Sequence, residues 1–91
     1  MGIWMLFITL GRFRKKPTRQ MLEEMEKLFK EPVEGGKVFG YYWTLGRYDG
    51  VVISECPDEK THMKIMLKFA DLVSTESLVA VPAEEAIKLV E

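Results

Sequence analysis

Lys37-Val38-Phe39-Gly40-Tyr41-Tyr42-Trp43-Thr44-Leu45-Gly46-Arg47-Tyr48-Asp49-Gly50-Val51-Val52-Ile53-Ser54-Glu55 reads as two strands and the connection that folds one back on the other. Lys37 to Leu45 and Val51 to Glu55 are rich in β-branched and aromatic residues, the composition that suits a pleated, half-buried surface. Gly46 and Gly50 bracket the connection, where the chain must reverse within a few residues. A link this short joins antiparallel strands.

On either side of this pair the period changes from two to 3.6. Upstream, Thr18 is a candidate N-cap. Beyond it Met21, Leu22, Met25, Leu28 and Phe29 form one apolar stripe, with Glu23, Glu24, Glu26 and Lys27 on the wet side. Pro32 and Gly35-Gly36 are expected to end that helix. Downstream, Pro57-Asp58 opens a second helix whose stripe is Ile65, Met66, Phe69, Leu72 and Val73. Outermost, Ile3 to Leu10, closed by Gly11, and Thr75 to Val81 read as strands. Pro82-Ala83-Glu84-Glu85 opens a short last helix carrying Ala86, Ile87 and Val90. The order β-α-β-β-α-β plus a C-terminal helix predicts an α+β, ferredoxin-like sandwich with an antiparallel sheet, a single domain over residues 1–91. Thr9-Leu10-Gly11-Arg12 recurs as Thr44-Leu45-Gly46-Arg47, and both copies are expected to close a strand.

A chain of 91 residues buries only about 60–65% of its unfolded surface, so stability leans on a dense core or on association. One cysteine, Cys56, leaves no intrachain disulfide, which fits a reducing cytoplasm. Thirteen basic against fourteen acidic residues give a net charge of −1, without general attraction for nucleic acid or anionic lipid. The apolar run Ile3–Leu10 is too short to cross a bilayer and lacks the flanks of a signal peptide. A cytoplasmic protein without a membrane partner is expected.

The strands do not alternate cleanly. Trp4, Leu6, Ile8 and Leu10 share one face of the first, and Ile3, Met5 and Phe7 share the other. In the second, Phe39, Tyr41, Trp43 and Leu45 lie opposite Val38 and Tyr42. Helices cover one face of such a sheet, and a second apolar face left in water would exceed the patches monomers carry. A homodimer packed face to face, or a higher assembly of the same chain, is the expected remedy. The alternative is that long side chains and the C-terminal helix cover that face.

Tyr42 to Gly50, with Phe7-Ile8-Thr9-Leu10-Gly11-Arg12-Phe13 and Val81-Pro82-Ala83-Glu84-Glu85, resembles the GYD-domain family in three segments that agree in order. The Gly-Tyr-Asp signature stands here as Gly46-Arg47-Tyr48-Asp49, with an arginine interposed. The resemblance implies the dimeric α/β-barrel superfamily, whose members include cofactor-free monooxygenases, isomerases, haem enzymes and sensing domains. It does not choose among those activities.

Candidate sites follow from residue chemistry. Arg47 can bind a carboxylate, Tyr48 can donate a hydrogen bond, and Asp49 can act as a base. Turn chemistry accounts for the same three residues without any ligand. His62, the single histidine, suits a proton shuttle or haem ligand, or a helix-edge residue with one ordinary hydrogen bond. Cys56 before Pro57 sits where a helix dipole can lower its pKa, yet no base partner is evident. The basic run Arg12, Arg14, Lys15, Lys16 and Arg19 can grip phosphate, but the acidic helix behind it weakens any nucleic-acid footprint.

Three functions follow. A small-ligand-binding or sensing module would use a pocket between helices and sheet, lined by Phe7, Tyr42, Trp43 and Phe69, with Arg12 or Arg47 at its mouth. A cofactor-independent monooxygenase or isomerase would use His62 with Tyr48 and Asp49 as catalytic groups. An oligomeric structural or adaptor protein would need no site. The sequence calls for no cofactor and offers no metal-type spacing.

Overall fold

The computed structural model describes residues 4–30 and 35–90. These form strands β1 (Met5–Phe13), β2 (Lys37–Trp43), β3 (Gly50–Cys56) and β4 (Val73–Ala80). The helices are α1 (Arg19–Lys30), α2 (Glu59–Leu67) and the short α3 (Ala83–Ala86), which runs into a 3-10 turn, Ile87–Leu89. The chain is α+β with a four-stranded antiparallel sheet in the order β2-β3-β1-β4. The expected strand start at Ile3 and helix stop at Pro32 lie outside the described residues.

The expected cap at Thr18 is made, and Asp58 caps α2. Thr18 Oγ1 accepts from the Met21 amide at 3.2 Å, and Asp58 Oδ1 accepts from the Thr61 amide at 2.8 Å. Each satisfies an amide that the helix itself leaves unpaired. Met25 and Phe29 of α1 meet Phe69 and Val73 in the core, with Tyr41, Val52 and Ile65 packed against them.

Several boundaries differ from the expectation. β1 does not stop at Gly11 but continues to Phe13, because β4 pairs with it as far as Phe13↔Val73. Gly11 sits inside the strand, where an added Cβ would lie 2.9 Å from Val73 Cγ1. Gly46, its counterpart in the repeated tetrapeptide, lies in a loop at φ 114°. The two glycines thus answer different demands, one steric and one conformational. α2 ends at Leu67, so Phe69 and Leu72 belong to the turn after it and Val73 opens β4. β2 ends at Trp43, which leaves Leu45 fully exposed in the loop.

The face assignment in β2 is also corrected. A β-bulge between Val38 and Gly40 shifts the register, so that Val38 pairs with Ser54 while Gly40 pairs with Ile53. One extra residue flips the side-chain alternation. Val38, Tyr41 and Trp43 therefore share the helix-covered face, and Gly40 and Tyr42 the other. On that outer face the register gathers Leu6, Ile8, Leu10, Val51, Ile53 and Leu78 across three strands. Glu55 and Glu76 stand at its margins. Leu78 is 46% exposed.

Candidate functional site

The loop after β2 anchors the neighbouring strand. The Asp49 amide donates to Gly11 O at 2.8 Å, and the Thr44 amide donates to Asp49 O at 2.8 Å. The Phe13 amide donates to Asp49 Oδ2 at 2.8 Å. β3 starts at Gly50, opposite Gly11, so Phe13 has no β3 residue beside it. The Asp49 carboxylate takes the place of the missing strand carbonyl.

This clamp sets Gly11 and Gly50 directly opposite each other on the helix-covered face. Two adjacent positions without a Cβ leave room above the sheet. The room is a cavity of about 40 Å3 bounded by Phe13, Met25, Phe29, Trp43, Phe69 and Val73, among others. Apart from the tyrosines, its polar neighbours are Thr9, Thr75 and Asp49. Trp43 lies over Gly50, whose added Cβ would come 2.9 Å from Trp43 Cε3, and its ring tilts against Phe13 at 5.5 Å between centroids. Being 50% exposed, Trp43 forms the outer wall of the cavity.

Of the residues expected to line a pocket, Trp43 and Phe69 border this cavity, as does Tyr42, whose own ring folds over Gly40 on the outer face. Phe7, Arg12 and Arg47 do not. Phe7 stacks on His62, with ring centroids 4.0 Å apart and planes 4° from parallel. Arg12 pairs with Ser74 on the outer face, and Arg47 lies over the Tyr48 ring at 5.7 Å. The basic segment is partly committed to structure. Arg14 donates from Nε to Ala70 O at 2.7 Å, and Arg19 pairs with Glu23.

The expected catalytic trio is not brought together. Tyr48 donates its hydroxyl proton to Glu76 Oε2 at 2.7 Å, and this carboxylate holds the phenol pKa above its usual value. Glu76 pairs with Leu10 on the outer face, whereas His62 lies on the helix side of the sheet. Asp49 is bound to Phe13. His62 is 5% exposed, and its Nε2 lies 2.7 Å from Ser77 Oγ and 3.3 Å from Thr9 Oγ1. The two hydroxyls are 3.1 Å apart. Burial pushes the imidazole pKa below 6.5. On its other side the ring borders a second cavity of about 40 Å3, whose titratable neighbours are Cys56 and Lys68. So His62 is not a helix-edge residue but a buried one, tied to two strands.

Cys56 is 1% exposed, and burial raises its thiol pKa, with the Asp58 charge acting in the same sense. The helix start does not activate it. Among the described residues, no three His, Cys, Asp or Glu side chains gather as a metal site requires, and no helix is long and apolar enough to cross a membrane.

Sequence reasoning missed Thr9, Ser77 and the Gly11–Gly50 pair. Thr9 carries a readable signal, a hydroxyl in the middle of an apolar strand, which must find a partner when buried. The glycine pair depends on strand register, which no local pattern supplies.

Comparison with known proteins places the sequence in a family. The sequence profile of the GYD domain matches residues 7–90. No curated protein and no solved structure matches the chain significantly.

Proposed function

Since the chain belongs to the GYD domain family, we propose that it is a homodimeric, ferredoxin-like module of the dimeric α/β-barrel type that binds a small, mainly apolar molecule. The observation that carries the reading is the cavity over the Gly11–Gly50 pair, walled by aromatic residues with Thr9, Thr75 and Asp49 as its non-aromatic polar neighbours. Ligand sites are concave, mostly apolar and sparing in polar groups. At about 40 Å3 the cavity itself admits a few waters at most. A ring-sized ligand enters by moving Trp43, whose indole already stands half in solvent.

Dimerisation rests on the outer sheet face, where Leu6, Ile8, Leu10, Val51, Ile53 and Leu78 adjoin. A contiguous apolar patch of this kind is the usual mark of an interface.

Titration of the 15N-labelled protein with indole tests the ligand reading. Saturable shifts are expected for the amides of Gly11, Gly50 and Trp43, and Gly50→Leu should remove them. Shifts spread evenly over the exposed apolar surface would defeat the proposal. Native mass spectrometry of the freshly purified protein complements it, by looking for a co-purified small molecule.

A further inference from the structure

We propose that Ser77 and His62 form a nucleophile–base pair able to accept the acyl group of a small carboxylic ester, with Thr9 supporting the serine oxygen. Three facts join here. The nucleophile and base are within hydrogen-bond reach, Ser77 Oγ to His62 Nε2 at 2.7 Å. The base is held in place, since its ring lies flat on Phe7 at 4.0 Å and is 5% exposed. The serine is open to solvent on β4, an edge strand of the sheet.

The chemistry reads in one direction. With Nε2 as acceptor, Ser77 donates to it, and Thr9 donates to Ser77 Oγ across 3.1 Å. When Ser77 Oγ bonds to the ester carbonyl carbon, its proton passes to Nε2. The carbon–oxygen bond to the leaving alcohol then breaks, and Nε2 returns the proton to that oxygen. Water repeats the sequence on the acyl-serine, releasing the acid and restoring both residues. No oxidant, metal or cofactor enters the balance. Thr9, as a donor to Ser77 Oγ, fixes the direction of the lone pair that attacks the carbonyl carbon.

Desolvation also serves the role. A buried imidazole stays neutral at pH 7 and so remains a competent base. Val79 and Thr75 stand beside Ser77 on the same face of β4, and Thr9 and Thr75 both border the aromatic cavity. A short acyl group on Ser77 would therefore lie against the cavity rim. Only that preference rests on the ligand reading above, and the pair itself does not.

Incubation with p-nitrophenyl acetate followed by peptide mass mapping is the test. One acetyl group on Ser77 is expected, absent from Ser77→Ala. In His62→Gln, the acylation rate should fall at least about 100-fold, the usual scale for a lost general base. Should His62→Gln fail to fold, the wild-type pH profile decides. The rate should rise to a plateau with a midpoint below 6.5, as the base loses its proton. Acetylation confined to lysines, Ser77 labelling undiminished in a folded His62→Gln, or a rate still climbing from pH 7 to 9 would each overturn the proposal. Labelling of Ser77 with no effect of indole would separate it from the ligand reading.

Discussion

Asp49 holds three hydrogen bonds, two with β1 and one with Thr44 just past β2, and one of the three runs through its carboxylate. Asp49→Ala leaves the Phe13 amide without its acceptor, at a cost of about 2 kcal/mol for a bond to a charged group. For a domain of this size that lowers Tm by roughly 10 °C, and paired thermal melts check it. An unchanged melting temperature would return Asp49 to the list of chemical groups. Gly50→Ala acts differently, because the new methyl meets the Trp43 ring at 2.9 Å. The expected result is a displaced indole with a shifted emission maximum and about 1–3 kcal/mol of lost stability, the range for overpacking. His62 supplies a pH signature. Its folded pKa lies below the ordinary 6.5, so between those two values the unfolded chain binds more protons than the folded one. Stability is therefore full above pH 6.5 and declines as pH falls through the folded pKa. Melts from pH 7.5 to 5 should show that decline, and it should be smaller in a folded His62→Gln.

At the scale of elements, the type and order of the described strands and helices were legible, because the strands are rich in β-branched and aromatic residues, the helices carry apolar stripes, and both have their own punctuation. Thr18 and Asp58 illustrate this: a cap acts within three residues, so sequence contains the whole interaction. What escaped was decided across strands. Gly11 looks like a stop signal, yet pairing with Gly50 and Thr75 carries β1 past it. The bulge at Val38/Gly40 moves Val38 to the helix side, and nothing in Lys37–Trp43 alone announces it. The candidate site suffered in the same way. Tyr48, Asp49 and His62 have the right chemistry for a site, but one sheet separates Tyr48 from His62. The bulge also permits a check. Tyr42 folds its ring over Gly40, where an added Cβ would sit 2.8 Å from the Tyr42 hydroxyl oxygen. Gly40→Val should therefore swing Tyr42 away from the outer face. A crystal structure showing Tyr42 undisturbed would refute that packing.

For the whole molecule, shape and surface agree with association. The radius of gyration is 14.1 Å, against about 12 Å for a compact chain of this length. Extents of 48 × 31 × 18 Å describe a slab rather than a ball. One broad side of the slab is the outer sheet face. Exposed Ile87, Leu89 and Val90 add apolar area at the C-terminal end. A second copy laid on the face removes this surface from water at roughly 25 cal/mol per Å2, which favours a stable pair. Leu78 is the residue to change, since it belongs to an edge strand, points to that face and is already half exposed in the single chain. Leu78→Arg leaves the helix-side core intact but sets a charge within the proposed apolar contact, where burying it is costly. Light scattering at micromolar concentration should give about twice the chain mass for the wild type and one chain mass for Leu78→Arg, with unchanged far-ultraviolet circular dichroism. Trp4 offers a second reading of the same event. It is 40% exposed in the single chain, just ahead of β1, so acrylamide should quench total indole emission more readily in the variant. A monomeric wild type, or a dimer indifferent to Leu78→Arg, would show that another surface does the covering.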